Sequence, residues 1–174
     1  MKISLESIKE LRNMTFASIA NCKSALEEAK GDIQKARDIL RKQGLEIATK
    51  RQDRLIKEGR IEVYVHTGNK IGVLVEVACE TDFVARNSDF IQFTKDIAMQ
   101  IAAISPTFIK TEDVPRDIIK QEKNKEQFYK EHCLLEQAFI KDPTITIKDY
   151  LGTIVAKFSE HIFIHRFVRY KIGE

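Results

Sequence analysis

The sequence has few of the features that mark secreted, membrane or disulfide-rich proteins. It contains no tryptophan, three prolines, seven glycines and three cysteines among 174 residues. None of its apolar runs approaches the roughly 20 residues that a membrane-spanning helix needs, and the charged start MKISLESIKELR lacks the apolar stretch of a secretory signal. Because Cys22, Cys79 and Cys133 are odd in number and widely spaced, we expect reduced thiols and a cytoplasmic location.

The sequence also lacks the usual signatures of catalysis. None of the glycine spacings gives GxxxxGK[ST] or GxGxxG, the loops that hold nucleotide phosphates. His161 and His165 would lie about 13 Å apart on one strand, too far to share a metal ion. No catalytic triad can be assembled from the scattered cysteines and histidines. We therefore expect a protein that is not an enzyme and has no cofactor or metal.

The charge balance leaves nucleic-acid binding open without favouring it. The chain has 29 basic and 26 acidic residues, a net charge of +3. The basic stretch 41–57 supports an alternative function, a helical-domain adaptor that binds RNA or the ribosome. This stretch lacks the aromatic residues that stack on single-stranded bases, so a solvated helix is the favoured interpretation.

Residues 4–44 predict a bundle of three short amphipathic helices. Ser4 and Asp32 are N-cap candidates, and Gly31 and Gly44 are placed to end the second and third helices. The charged stretch 45–58 reads as a solvated helical linker, so we predict domains at 1–54 and 55–174. The residues expected to be buried in the bundle are Leu5, Ile8, Leu11, Cys22, Ala25, Leu26, Ala29, Ile33, Ala36 and Leu40.

Beyond residue 58 the hydrophobic period changes from helical to strand-like. Strands are predicted at 60–67, 70–79 and 162–171, the first two joined by a two-residue turn at Gly68-Asn69. Helices are predicted at 88–104 and from Thr146 onward, where Thr146 and Asp149 have the spacing of a capping box. Residues 115–136 are also expected to be helical, but the sequence does not fix the limits of this stretch. The fold class is therefore α+β, with helices packed on one face of a small antiparallel sheet.

Two sets of buried positions follow from these periods. The helix at 88–104 should turn Phe90, Ile91, Thr94, Ile97, Ala98 and Ile101 inward, and the helix after Thr146 should bury Ile147, Tyr150, Leu151, Ile154, Val155 and Phe158. The last strand is expected to place Ile162, Ile164, Val168 and Tyr170 on one face and Phe163 and Phe167 on the other.

The segment Cys79–Asn87 has two interpretations. In the first, Thr81 or Asp82 caps a helical turn and Phe83 fills the core, and the residues alone favour this one. In the second, Phe83 is an exposed aromatic on a rigid strand-to-helix corner, the kind of side chain that anchors protein–protein binding. A thiol enzyme that uses Cys79 would need a lowered thiol pKa, which no feature of the sequence indicates.

Five stretches resemble the elongation factor Ts family. They are KELRNMT at 9–15, NCKSALEEAKGDIQKARDILRKQG at 21–44, VLVEVACETDFVARN at 73–87, EQAFIKDPTITIKDYL at 136–151 and IHRFVRYKIGE at 164–174. The resemblance covers most of the chain in the family's order. It implies an N-terminal ubiquitin-associated-like domain followed by an α+β core.

The resemblance also implies a function. Family members bind the translation GTPase elongation factor Tu and release its GDP, with an Asp-Phe corner that enters between helices of the GTPase domain. Phe83 then matches the wedge and Asp82 orients it, flanked by Thr81 and Val84. A second contact is implied around Ile19, Ala20 and Cys22.

The sequence departs from the family pattern in three places. Ile19 and Ala20 stand where the family has two methionines, and Ser159-Glu160-His161 stand where it has Gly-Glu-Asn. The chain has strands for one core subdomain, whereas longer members have two. We therefore expect a homodimer joined through the sheet domain.

Overall fold

The computed structural model describes residues 3–15, 17–50 and 56–174, with 45–50 described for the backbone only. The chain divides into two compact units, one formed by residues 1–56 and 151–162 and the other by 57–150 and 163–174. The fold is α+β, as predicted. The domain boundary between 54 and 55 stays a prediction. Among the described residues, no helix is long and apolar enough to cross a membrane.

Three helices form the N-terminal part of the first unit: α1 (Leu5–Thr15), α2 (Ile19–Glu28) and α3 (Ile33–Lys50). Leu5 was expected in the core but is 76% exposed, because it begins α1 and the inward stripe starts one turn later, at Ile8. The core residues of the bundle are Ile8, Leu11, Ala17, Cys22, Ala25, Leu26, Ala29, Ala36 and Leu40.

Side-chain caps start the helices where the sequence predicts them. The Ser4 hydroxyl accepts a hydrogen bond from the Ser7 N–H at 3.0 Å, and the Asp32 carboxylate accepts one from the Lys35 N–H at 3.1 Å. Between α2 and α3 the chain turns through Lys30 and Gly31, both with positive φ. Each cap satisfies an N–H that the helix leaves without an internal acceptor.

Gly44 does not end α3, contrary to the prediction. The helix continues to Lys50, and Gly44 is buried inside it. A Cβ atom at this position would collide with the carbonyl oxygen of Gly152 and lie 3.1 Å from the Cβ of Ala156. The glycine therefore serves close packing against residues 151–162 rather than a turn.

The second unit is built on a three-stranded antiparallel sheet. Its strands are β1 (Glu58–Val65), β2 (Ile71–Cys79) and β5 (Phe163–Lys171), in the order β1-β2-β5. The hairpin between β1 and β2 is longer than the predicted two-residue turn, because the last ladder bond joins the His66 N–H to the Ile71 carbonyl. Gly68 and Asn69 still supply the positive φ at its tip.

A bulge in β5 changes which of its residues share a face. Val77 pairs with Ile164 whereas Glu76 pairs with Arg166, so the ladder slips by one residue between them. Ile164 consequently lies on the inner face, with the buried valines of β2, while Val168 and Tyr170 lie on the outer face. The predicted strict alternation from Ile162 to Tyr170 was wrong for this reason.

Helix α5 (Ser88–Ile104) covers the inner face, at the predicted limits, after the single turn α4 (Asp82–Ala85). Phe93 is fully buried, which the sequence analysis missed, and Ile91 is half-buried. The apolar side chains that meet between sheet and helix are Val73, Val75, Val77, Phe90, Phe93, Ile97 and Ile101.

The region from Thr107 to Thr146 is more divided than the single helical stretch predicted at 115–136. It contains α6 (Arg116–Gln121), α7 (Lys125–His132), 3₁₀ turns at Thr111–Asp113 and Leu134–Glu136, and the hairpin β3 (Ala138–Phe139) and β4 (Asp142–Thr146). The N–H groups of Thr107 and Phe108 both donate to the carbonyl of His132. These two hydrogen bonds join the segment that precedes α6 to the end of α7.

Helix α8 (Ile147–Phe158) begins with the predicted capping box. The Asp149 N–H donates to Thr146 Oγ1 and the Thr146 N–H donates to Asp149 Oδ2, both at 3.1 Å. Ile147, Ile154 and Val155 are buried as expected. The other three predicted positions, Tyr150, Leu151 and Phe158, are half-buried.

A buried carboxylate ties α5 to the start of α8. Asp96 accepts hydrogen bonds from Gln92 Nε2 at 2.9 Å, Lys141 Nζ at 2.6 Å and the Tyr150 hydroxyl at 3.0 Å. Burial and the Asp96 charge together raise the pKa of the Tyr150 hydroxyl still further above neutral pH, and in this pair the hydroxyl is the donor.

We predict that Gly44→Ala destabilises the protein, although alanine normally favours a helix interior over glycine by about 0.5–1 kcal/mol. Overpacking against Gly152 should cost about 1–3 kcal/mol, visible as a lower urea midpoint. Lys42→Ala, an exposed change two residues earlier in the same helix, is the control and should leave the midpoint near the wild-type value. Equal stability of the two variants would contradict the close contact.

Candidate functional site

The candidate site is the corner between β2 and α5, formed by Thr81–Val84. Two side-chain caps fix its backbone. Thr81 Oγ1 accepts a hydrogen bond from the Val84 N–H at 3.4 Å and starts α4, and Asn87 Oδ1 accepts one from the Asp89 N–H at 2.9 Å and starts α5. Since both ends of the turn are tied to regular elements, the side chains of α4 point in defined directions.

Phe83 and Val84 point in opposite directions from this turn. Val84 is 6% exposed and anchors the corner to the core, whereas Phe83 is 83% exposed. The interpretation of Phe83 as a core residue is therefore wrong. Burying a phenylalanine side chain would contribute about 1.5–3 kcal/mol to folding, and this fold leaves that contribution unused.

Asp82 lies beside Phe83 and is paired with Arg86. The distance from Asp82 Oδ2 to Arg86 Nη2 is 3.3 Å, and the two side chains are 44% and 82% exposed. An exposed pair at this i,i+4 spacing contributes only about 0.3–0.5 kcal/mol to stability. Arg86 was not among the residues predicted for this site, although its i,i+4 spacing from Asp82 on a helical turn is a signal for such a pair.

Beneath the corner lies Cys79, which ends β2. Its thiol is fully buried, and Sγ donates a hydrogen bond to the Thr81 carbonyl at 3.2 Å. Burial is also the main cause that raises the pKa of the Cys22 and Cys133 thiols, the latter to about 11. A nucleophilic thiol needs an accessible thiolate, so these geometries do not support the thiol-enzyme hypothesis.

The predicted second contact lies at the start of α2, in the first unit. Ser18 Oγ caps the helix by accepting from the Asn21 N–H at 3.1 Å, and Ile19 and Ala20 are exposed in its first turn. Cys22 is different, because its side chain is fully buried and its Sγ donates to the Ala17 carbonyl at 3.7 Å. Ile19 and Ala20 are thus accessible to a partner, and Cys22 packs beneath them in the helical core.

The sheet has an exposed apolar surface that the sequence analysis only partly foresaw. Its register places Val63, Leu74 and Val168 side by side on the outer face, and Val65 and Tyr170 flank Gly72 in the next row. The inner side of β1 is instead polar, where Glu62 is buried and bound by Arg60 Nε at 2.8 Å and Thr94 Oγ1 at 3.2 Å. The outer face comprises Ile61, Val63, Val65, Leu74, Val168 and Tyr170, each 39–69% exposed.

No metal site is found within the described ranges, where no group of three or more histidine, cysteine or acidic side chains is placed to hold an ion. His165 lies exposed on β5, whereas His161 is buried ahead of that strand. Neither the corner nor the outer face contains a cluster of hydroxyl, thiol and imidazole groups. Both surfaces instead present exposed apolar side chains, Phe83 at the corner and the aliphatic rows of the outer face.

Comparison with known proteins identifies relatives along nearly the whole chain. The family model described as Elongation factor TS matches residues 3–127 and 125–174. A protein of Caldanaerobacter subterraneus subsp. tengcongensis named Elongation factor Ts is 47% identical over 195 aligned positions, covering 99% of this chain and 98% of the relative. Proteins of the same name from Thermodesulfovibrio yellowstonii and Methylacidiphilum infernorum are 47% and 44% identical, and cover 100% and 99% of this chain and 98% and 96% of their own length.

Removing the Phe83 side chain should leave the fold intact. We expect Phe83→Ala to change the free energy of unfolding by less than about 0.5 kcal/mol, because the side chain is exposed. Val84→Ala, one residue on, should cost about 2 kcal/mol by leaving a buried gap. Urea unfolding of the two variants measures both values, and a large loss for Phe83→Ala would contradict its outward orientation.

Proposed function

The chain belongs to the elongation factor Ts family, and from this we propose that it is a guanine-nucleotide exchange factor that binds elongation factor Tu and promotes release of GDP. The observation that carries the proposal is the outward orientation of Phe83 on a corner held by two caps. A large exposed aromatic on a rigid support loses little conformational entropy on binding, which makes it an efficient anchor.

Such a factor works by binding alone. If it binds the nucleotide-free GTPase more tightly than the GDP form, linkage requires that it weaken GDP binding by the same factor. No general acid, base or nucleophile is needed, so we propose that the chain is not an enzyme. Its place of action would be the cytoplasm, where translation proceeds.

The corner residues then have separate roles. Phe83 enters the partner and displaces elements that hold the Mg²⁺ ion and the nucleotide phosphates. Asp82 lies next to Phe83 in that contact and orients it. Thr81 holds the turn by capping α4, and Val84 holds it by packing in the core.

Ile19 and Ala20 supply the second contact. Both are exposed at the first turn of α2, and Cys22 supports that turn from the core. This part of the proposal follows the family pattern, with an aliphatic pair in place of two methionines. The competing adaptor function rests on residues 41–57, of which 51–55 lie outside the described ranges and 45–50 are described for the backbone only.

We predict that Phe83→Ala weakens binding to nucleotide-free elongation factor Tu by a factor of about 30 or more and abolishes stimulated GDP release. Stopped-flow release of a fluorescent GDP analogue gives the rate, and a pull-down with and without excess GDP tests linkage. Ile118→Ala, an exposed apolar change on α6, is the control and should behave as wild type.

Two results would contradict the exchange proposal. Capture of elongation factor Tu that is unaffected by excess GDP would remove the linkage on which exchange depends. Binding that falls steeply with salt and ignores Phe83→Ala would instead favour the adaptor that binds RNA or the ribosome.

We further propose that two copies join through the outer face into a homodimer. The face is apolar along all three strands, and at its margin Glu76 and Arg166 form a cross-strand ion pair at 2.7 Å. A patch that carries both an acid and a base is self-complementary about a two-fold axis, because each Glu76 can also meet the Arg166 of the other copy. A sheet that exposes such an apolar face otherwise invites non-specific association.

Val63→Lys should convert the dimer to a folded monomer, since it places a charge in the middle row of the outer face, beside Leu74. Light scattering at micromolar concentration gives the mass, and circular dichroism checks the fold. Thr67→Lys in the exposed hairpin loop is the matched control and should remain dimeric. A wild-type chain that is monomeric and exchanges nucleotide at full rate would refute the dimer.

A further inference from the structure

Arg86 makes two contacts with Asp82, the residue next to Phe83, which is the proposed wedge. Its backbone N–H donates to the Asp82 carbonyl at 3.0 Å, and its guanidinium lies 3.3 Å from the Asp82 carboxylate. Residues three and four apart share a face of a helical turn, so Arg86 adjoins both Phe83 and Asp82. Acid, aromatic and base are thus exposed on the same short turn.

This ion pair contributes little to folding. Both side chains face solvent, where long flexible groups lose entropy on pairing and water weakens their attraction. A comparable exposed pair occurs on α7, between Glu126 and Lys130 at 2.9 Å. Asp82–Arg86 differs from that pair in its position beside the exposed Phe83.

Contact with a partner changes the surroundings of Asp82. When Phe83 enters a protein surface, the neighbouring carboxylate loses water, and an unpaired carboxylate in such a place is strongly disfavoured. A guanidinium 3.3 Å away compensates the charge as that water is lost, and the attraction between the two groups strengthens because their surroundings become less polar.

We propose that Arg86 is a positioning residue for the contact with elongation factor Tu: it holds the Asp82 carboxylate beside Phe83 and enters the interface with it as its counter-ion. The proposal rests on the exchange function proposed above and adds a residue to that site. Arg86 acts through Asp82, so its effect on binding depends on the Asp82 charge.

A double-mutant cycle tests this dependence. The dissociation constant for nucleotide-free elongation factor Tu is measured for wild type, Arg86→Met, Asp82→Asn and the double variant, by titration of a labelled partner. Methionine keeps the apolar stem of the arginine and removes its charge. We expect Arg86→Met to weaken binding about fivefold to tenfold when Asp82 is present, and less than about twofold in the Asp82→Asn background.

Two further measurements separate positioning from a structural effect. Arg86→Lys should recover most of the lost affinity, and the melting temperature of every variant should stay at the wild-type value, because the pair is exposed. Lys130→Met breaks the comparable pair on α7 and serves as the matched control, with no expected change in affinity.

The outcomes are distinct. If Arg86→Met lowers the affinity equally with and without the Asp82 charge, Arg86 contacts the partner independently of Asp82. If Arg86→Met leaves the affinity unchanged, Arg86 takes no part in binding. Either result overturns the proposal. If wild type captures elongation factor Tu, loses it on addition of excess GDP, and Phe83→Ala fails to capture it, the exchange function stands whatever the cycle gives. A wild-type chain that fails to capture elongation factor Tu overturns the exchange function and this proposal with it.

Discussion

The burial of one side of β2 against α5 is the constraint on which the rest of the second unit depends. Val73, Val75 and Val77 are almost fully buried there, so the central strand cannot slip by one residue without turning its apolar side chains away from the helix. The end of β2 and the start of α5 are thereby fixed. The short path between them leaves room for one capped turn, in which Val84 faces the core and Phe83 faces solvent.

The two sides of β1 reverse the usual pattern of a surface strand, because a charged residue lies on its inner side and apolar residues lie on its outer side. Its inner side carries Glu62, which is acceptable because Arg60 and Thr94 supply charge and hydrogen bonds. Its outer side carries Ile61, Val63 and Val65, which have no such reason to face water. The outer face and the Phe83 side chain are therefore apolar groups that the fold leaves exposed to water, a feature that marks candidate binding surfaces.

Within the helical unit, packing also overrides a local signal. Gly44 has the residue type of a helix end, yet α3 runs through it because the absent side chain lets residues 151–162 approach closely. Residues distant in sequence thus complete the unit that the first three helices begin. A boundary drawn from the charged linker alone does not include this late segment, because linker composition reports exposure and not contacts formed by a returning chain.

Sequence alone determined the types of α1–α3, α5, α8 and the three sheet strands, several caps and the place of the corner, because caps, turn residues and hydrophobic period act over a few neighbours. Thr81, Thr146 and Asp149 behave as their spacing predicts. The direction of Phe83, the bulge in β5 and the exposure of the outer face were decided only by the tertiary structure. A capped turn with Phe beside Val can present either residue to solvent, and the choice depends on which one the sheet and α5 have room to bury.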